Sequence, residues 1–320
     1  MSEKPVIGFI GLGFMGHGMA KNIRNAGYEL WVLGRSNRVP VVNLLSIGAK
    51  EAANPKAMAE NCDIIHICLS TSEQIEATFR GPDGILAGAR AGLIVIDTST
   101  ANPASTEALA QELGAKGGHF VDAPLGGTPV QAEAGQLTAM VGCEEAVFEQ
   151  IRTVVACWAA KTMRIGPVGS GHKMKLLMNF IGLSYGALYS EVVVLGSKVG
   201  ISPQTIREVI SPSRMGNGFF ETFMGYVVDR NRDSHKFSIA NAAKDMRYLN
   251  NMASDANMMN IMAGAAKHYY THAEANGHAG DYVPMLSDHV GALNGVNMED
   301  EVRKGVVRID NTFEEAVKSE

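Results

Sequence analysis

The sequence has little cysteine, little charge and no long run of either sign. Its four cysteines (Cys62, Cys68, Cys143 and Cys157) form no CxxC pair and no metal-ligand spacing, which argues against a zinc module or a disulfide scaffold. Charged residues make up 19% of the chain and the net charge is -5. With no basic cluster to offset that balance, no nucleic-acid partner is expected. His172, His268, His272, His278 and His289 fall in no HExxH-like pattern, so no metal is expected. There is no internal repeat and no low-complexity linker, and Met1 to Pro5 lead into an apolar run without a signal-like segment. These absences lead us to expect a soluble, cytoplasmic, reduced protein. At 320 residues it is long enough for two cored domains.

What the chain does have is one long apolar stretch. Gly169 to Gly200 (GSGHKMKLLMNFIGLSYGALYSEVVVLGSKVG) reads as a continuous helix of about 30 residues, roughly 45 Å long. No charge falls between Lys175 and Glu191, and Leu176, Leu177, Phe180, Leu183, Leu188, Val192, Val193 and Leu195 distribute apolar character around it. Such a helix is expected to be buried on all sides. Asn179, Ser184, Tyr185, Tyr189 and Ser190 interrupt the roughly 20 apolar residues that a membrane span needs, so no membrane is expected. We read the stretch as a spine between an N-terminal and a C-terminal domain. At its start Lys175 and Asn179 are four residues apart and share a face.

Before the spine, short apolar runs alternate with helical patterns. Val6 to Ile10, Tyr28 to Leu33, Asp63 to Leu69 and Leu93 to Asp97 read as strands. Phe120 to Asp122 and Thr138 to Val141 continue the series. Helical stretches lie between them at Met19 to Ala26, Glu73 to Phe79 and Ser105 to Leu113. Continuous apolar strands alternating with helices imply a parallel sheet covered on both faces. After Gly200 the chain is helical and Met-rich with no strand pattern, and a charged tail runs from about Asn297.

Gly11-Leu12-Gly13-Phe14-Met15-Gly16 follows the first strand directly and opens a helix. A GxGxxG pattern arises by chance about 0.4 times in a chain this rich in glycine, so its position is what makes it informative. A tight turn, close phosphate approach and helix–strand packing all require glycine there, and the helix N-terminus offers unpaired N–H groups to a pyrophosphate. The second strand ends in Gly34-Arg35-Ser36-Asn37-Arg38, where an NAD site usually carries Asp or Glu. With no carboxylate in that loop, Arg35, Ser36 and Arg38 suit a 2′-phosphate. The expected cofactor is NADP (NADPH), with NAD as the alternative. Leu69-Ser70-Thr71 and Ser99-Thr100 close two further strands at their carboxyl ends, where ligands bind in such sheets. We expect Leu69, Ser70, Thr71 and Thr100 to meet the cofactor and Ser99 the substrate.

Hydride transfer is the work of a nicotinamide, and the protein must manage one proton. Lys175 suits that task if its ordinary pKa of about 10.4 is lowered. Lys173 is two residues away, roughly 200° around the helix, so both cannot point into one site. His66, mid-strand, reads as a core histidine, and Met258, Met259 and Met262 read as helix core or a subunit contact.

These residues resemble the β-hydroxyacid dehydrogenase family, which includes 3-hydroxyisobutyrate dehydrogenases, tartronate semialdehyde reductases and glyoxylate/succinic semialdehyde reductases. GFIGLGFMGHGMAKN (Gly8 to Asn22) is similar to the family's cofactor loop, and DAPLGGTPVQAEAGQLTAMVG (Asp122 to Gly142) to its substrate loop. GSGHKMKLLMN (Gly169 to Asn179) puts Lys175 on the catalytic lysine and Asn179 on the amide that follows it. Lys244-Asp245 after Phe237 resembles the second lysine motif, near the nicotinamide. By this resemblance Gly126, Gly127, Thr128 and Asn179 hold the substrate. Two positions depart from the pattern: Gly126 replaces a serine that helps hold the substrate carboxylate, and Met178 replaces a first asparagine. Sulfolactaldehyde reductases of the family also have a Gly-x-Thr arrangement, but with an arginine where this chain has Gly127.

The expected architecture is α/β: a Rossmann-type parallel-sheet domain (residues 1–166), then an all-helical substrate and oligomerisation domain (167–295) joined by the long interdomain helix, and a charged extension (296–320). The expected activity is NADP(H)-dependent interconversion of a small 3-hydroxy acid and its aldehyde acid, by a homodimer or homotetramer. A sulfolactaldehyde reductase-like enzyme and a non-catalytic dinucleotide-binding module are the alternatives. Imine reduction, which related folds perform, usually lacks this lysine.

Overall fold

A computed structural model describes residues 4–305, and these fall into two compact units. One comprises the residues up to Met178 together with Asn251–Ala256, and the other Asn179–Asn250 with the chain from Asn257 onward. The division falls inside the spine helix, after Met178.

The first unit is built on a single sheet of β1 (Ile7–Ile10), β2 (Leu30–Leu33), β3 (Lys50–Glu51), β4 (Ile64–Ile67), β5 (Ile94–Asp97), β6 (His119–Asp122), β7 (Leu125–Gly126), β8 (Leu137–Gly142) and β9 (Ala159–Gly166). Their spatial order is 3-2-1-4-5-6-8-7, with β9 pairing on β8. The strands from β3 to β6 are all parallel, whereas β8 runs antiparallel to β6 and β7. The connections carry α1 (Gly16–Asn25), α2 (Val39–Ser46), α3 (Pro55–Asn61), α4 (Ser72–Phe79), α5 (Ile85–Gly88), α6 (Pro103–Gly114), α7 (Pro129–Glu133) and α8 (Glu145–Val155).

Every residue of β1, β4 and β5 is buried. Alternate side chains go to opposite faces. Ile7, Phe9, Ile64 and Ile96 join Trp158 in one core, and Ile65, Ile67 and Val95 join Phe79 and Phe120 in the other. Each such side chain contributes about 1.5–3 kcal/mol relative to exposure. The sequence pattern misses β3, β7 and β9 for a physical reason: the first two have two residues each, and β9 has neither a continuous apolar run nor an alternation, with Ala160, Lys161, Arg164 and Ile165 exposed. Polar edges are normal, because they discourage further strand pairing.

Two further residues sit in the core, His66 as expected. Cys62 is buried, and burial pushes its thiol up to about 12, so it behaves as a small hydrophobe. His66 is buried against Phe9 and accepts from Trp158 Nε1 at 3.4 Å, while its Nδ1 has no hydrogen-bond partner. Burial pushes its pKa down to about 3.

The second unit takes α9 (Ser170–Lys198) from Asn179 onward, then α10 (Pro203–Ile210), α11 (Gly218–Val227), α12 (Ile239–Asp255) as far as Asn250, α13 (Ile261–Ala273), α14 (Leu286–Leu293) and α15 (Met298–Lys304). Among the described residues its β-structure is a single bridge, Ser238–Tyr282. Of the charged extension, α15 is described, and residues 306–320 lie outside the described residues.

α9 confirms the long helix and corrects its expected surroundings. It has 29 residues, long and apolar enough to cross a membrane by length and composition alone. It is not buried on all sides: Leu177, Ile181, Leu188 and Leu195 are 47%, 56%, 50% and 63% exposed. Their spacing of four, seven and seven gathers them on one stripe. Apolar character all round did not mean burial all round, because one chain supplies partners for only part of the surface. Met258, Met259 and Met262 are likewise exposed rather than core.

Candidate functional site

The turn after β1 has no room for a side chain at Gly11 or Gly16. Gly11 has φ +97°, and a Cβ there would stand 2.2 Å from Cys68 O; one on Gly16 would stand 2.0 Å from Gly11 O. A Cβ on Gly13 would meet nothing within 4 Å, so this glycine keeps open the space above the start of α1. The turn lines a cleft of about 580 Å³ whose walls include Gly34, Arg35, Ser36, Leu69, Ser70 and Gln74. Its volume lies in the range of ligand sites, and open backbone at a helix N-terminus fits a dinucleotide pyrophosphate. Leu12 and Gly13 also line an adjoining cleft of about 560 Å³ with Phe14, His17, Pro129 and Val130. Met15 instead packs against the core.

The two arginines expected at the 2′ position part company. Arg35 lines the cleft, whereas Arg38 makes a two-pronged pair with Glu51, at 2.7 Å on both oxygens. Strand β3 brings Glu51 to the loop by pairing with Trp31 and Val32. This carboxylate, absent from the loop's linear sequence, is held below its ordinary range chiefly by the Arg38 hydrogen bond.

At the strand ends, Leu69 and Ser70 line the cleft, while the Thr71 hydroxyl caps α4 by accepting from Gln74 N. Ser99 is buried, and its hydroxyl accepts from Leu69 N at 2.9 Å, tying β5 to β4. Thr100 is half-buried and not among the residues lining the cleft.

The substrate-type loop is stitched to the cofactor helix. Thr128 and Gln131 form a reciprocal capping box at the start of α7. Glu133 pairs with His17 and Lys21 of α1 at 2.6 and 2.5 Å, and Asn22 donates to Ala132 O. Gly127 has φ +130° and Leu137 Cδ2 2.8 Å from its would-be Cβ. A side chain at 127 would be both strained and crowded.

Lys173 is exposed and paired with Glu107 of α6 at 2.6 Å. Lys175 is half-buried. In the second unit, Asn179 donates to Asp245 Oδ2 at 2.6 Å, and Asp245 Oδ1 lies 3.1 Å from Lys244 Nζ. Asp245 is buried and Lys244 nearly so, with the Lys244 ammonium 5.6 Å from the Tyr248 ring centroid. The sequence reading gave Asp245 no role of its own, yet it links the two residues expected to meet substrate and cofactor. The signal was there, a carboxylate next to the motif lysine, but adjacency in sequence does not reveal that it also reaches Asn179.

Residues 6–166, half of the chain, match the family model described as the NAD binding domain of 6-phosphogluconate dehydrogenase. Residues 169–287 match the one described as NAD-binding of NADP-dependent 3-hydroxyisobutyrate dehydrogenase. A 2-(hydroxymethyl)glutarate dehydrogenase of Eubacterium barkeri is 36% identical over 213 residues, covering 67% of this chain and 70% of that one. The chain belongs to the β-hydroxyacid dehydrogenase family.

As a β-hydroxyacid dehydrogenase it is an NAD(P)-dependent oxidoreductase of small hydroxy acids. The 3-sulfolactaldehyde reductase of Escherichia coli K12 is 29% identical over 271 residues, 85% of this chain and 91% of that one. The crystal structure of a 3-hydroxyisobutyrate dehydrogenase from Salmonella typhimurium superposes with a TM-score of 0.78 at 25% identity, over 89% of this chain and 100% of that one. The Rossmann-type sheet and the helical C-terminal region are thus those of the β-hydroxyacid dehydrogenases.

Proposed function

We propose that this enzyme is NADP(H)-dependent and interconverts a small 3-hydroxy acid and its aldehyde acid, with Lys175 as the acid/base. The observation that carries the proposal is the division of labour at the start of α9: Glu107 engages Lys173, and Lys175 is half-buried one helical turn before Asn179. Arg35 and Ser36 in the wall of the cleft support NADP, the more so because the nearby Glu51 carboxylate is occupied by Arg38.

A bound nicotinamide supplies or accepts the hydride. In the reducing direction the carbonyl oxygen gains negative charge, and the Lys175 ammonium gives it a proton; in oxidation the neutral amine takes the hydroxyl proton. Asp245 holds the Asn179 amide nitrogen, which directs the amide oxygen to a substrate hydroxyl. Lys244, paired with Asp245, stands for the second cation near the nicotinamide. Gly126, Gly127 and Thr128 receive the acid group through backbone N–H groups and the Thr128 hydroxyl. Gly11 to Gly16, Leu69, Ser70 and Thr100 cradle the cofactor; Thr71 and Ser99 act by shaping the strand ends.

A sulfolactaldehyde reductase is the second reading, favoured by the Escherichia coli relative and opposed by Gly127, whose backbone tolerates no arginine without strain. We assign residues 1–166 to the dinucleotide, 167–295 to substrate and assembly, and 296–320 to an extension. The apolar stripe on α9 supports a homodimer or homotetramer, since large exposed apolar patches mark association sites. Four unbridged thiols suit the cytoplasm.

The test is oxidation of NADPH or NADH, followed at the reduced nicotinamide band, with glyoxylate, succinic, tartronate and methylmalonate semialdehydes and sulfolactaldehyde, for wild type and Lys175→Ala. Turnover preferring NADPH and reduced to a small but measurable residual rate in the variant is expected. NADH preference would overturn the Arg35 argument. NADPH binding with no turnover of any substrate would favour the non-catalytic module.

A further inference from the structure

The first turn of α9 is held by buried side chains that have no part in the chemistry above. Asp122, the last residue of β6, is fully buried, and its carboxylate accepts from two backbone groups: Gly169 N to Oδ1 at 2.7 Å and His172 N to Oδ2 at 2.8 Å. Those are donors that a helix start leaves without intrahelical partners, and a negative group there also complements the helix dipole. The approach is close, because a Cβ on Gly171 would stand 2.2 Å from Met140 O.

His172 makes the second anchor. Its ring is fully buried, with Nδ1 at 2.7 Å from Thr106 Oγ1 of α6. The Thr106 hydroxyl donates to Asn102 O, so it accepts from His172 Nδ1–H. That tautomer turns Nε2 toward Asp97 Oδ2, 3.8 Å away, and neither atom has a hydrogen-bond partner. The other Asp97 oxygen accepts from Ser99 N at 2.9 Å. Burial pushes the Asp97 carboxyl up. The ends of β5, β6 and α6 therefore meet on one turn of α9, and Lys175 leaves the helix three residues beyond His172.

We propose that Asp122 and His172 are positioning residues for Lys175: by fastening the first turn of α9 to the sheet they set where its amine stands during proton transfer. The inference rests on Lys175 being the acid/base. Displacing a reacting group by about 1 Å can cost roughly 100-fold in rate. A purely structural cap would lower stability and leave turnover alone.

The test is a double-mutant cycle on the intact enzyme, using the panel aldehyde acid that wild type reduces fastest. Asp122→Asn replaces one acceptor by an N–H donor facing an N–H donor. It is expected to lower kcat about 10- to 100-fold, with KM and the NADPH dissociation constant (read by fluorescence) within about twofold. In the Lys175→Ala background the same substitution is expected to change kcat less than about twofold, since both act through one group. An equal loss in both backgrounds, or a lower Tm with kcat unchanged, overturns the proposal. If Asp122→Asn fails to fold, Thr106→Val goes through the same cycle, with an expected loss of about 3- to 10-fold. Wild-type turnover in Lys175→Ala alone would overturn the acid/base reading itself, an outcome separate from an additive cycle.

Discussion

The sheet unit and the helical unit use apolar residues in opposite ways. In the first, β1, β4 and β5 are mostly apolar, and every residue, His66 and Asp97 included, is buried between two layers of helices. In the second, α9 is apolar along most of its length, yet Ile181, Leu188 and Leu195 stand about half or more exposed. A parallel strand with crossover helices on both faces has its partners supplied by the same chain. A long helix has more surface than its own unit covers. Apolar sequence therefore predicts burial well in a sheet of this kind and poorly on a long helix that its own chain covers only in part.

The sharpest way to break this comparison is to put one charge into each region. Ile65→Glu buries a carboxylate between sheet and helix and is expected to cost more than about 4 kcal/mol, leaving little folded protein. Leu188→Glu is expected to stay within about 0.5 kcal/mol in the unfolding of the single chain but to lower the mass found by sedimentation. Equal loss of folded protein in both would show that the stripe is core after all.

The cofactor turn allows a finer cut between packing and binding. Gly11→Ala meets Cys68 O and a left-handed backbone, and is expected to cost about 2 kcal/mol or more in stability. Gly13→Ala meets nothing; it should leave Tm alone and weaken NADPH about tenfold or more by blocking the phosphates. Arg35→Ala should then shift the NADPH-to-NADH preference about tenfold, the value of a lost charge-assisted bond. Arg38→Ala should shift it by much less, since its partner is Glu51.

A further cut uses pH dependence. Native His66 resists protonation down to about 3, whereas in the unfolded chain it binds a proton below about 6.5. Between those values the unfolded state holds more protons, so stability falls as pH is lowered, by up to about 1.4 kcal/mol per unit. His66→Gln, whatever it costs at neutral pH, is expected to flatten that part of the curve in urea melts from pH 7 to 4. An unchanged slope would assign it to the carboxylates instead.

Much of the cofactor site was legible because it depends on local backbone. Gly11, Gly13 and Gly16 follow a strand and open a helix, and only glycine fits that path at Gly11 and Gly16. The length of α9 and the separation of Lys173 from Lys175 likewise follow from helix periodicity. Less was legible wherever a residue's partner is distant in sequence. Arg38 and Glu51 are 13 residues apart, Asn179 and Asp245 are 66 apart, and Asp122 lies 50 residues from the His172 amide it accepts from. By itself the sequence determined the dinucleotide turn, the alternation of strands and helices, and a lysine–amide face on one long helix, because steric rules and short-range periodicity are properties of neighbouring residues. Only the tertiary structure decided which arginine lines the cleft, which carboxylates hold Lys244 and the first turn of α9, and which side of α9 is left uncovered, because those depend on what the fold brings together.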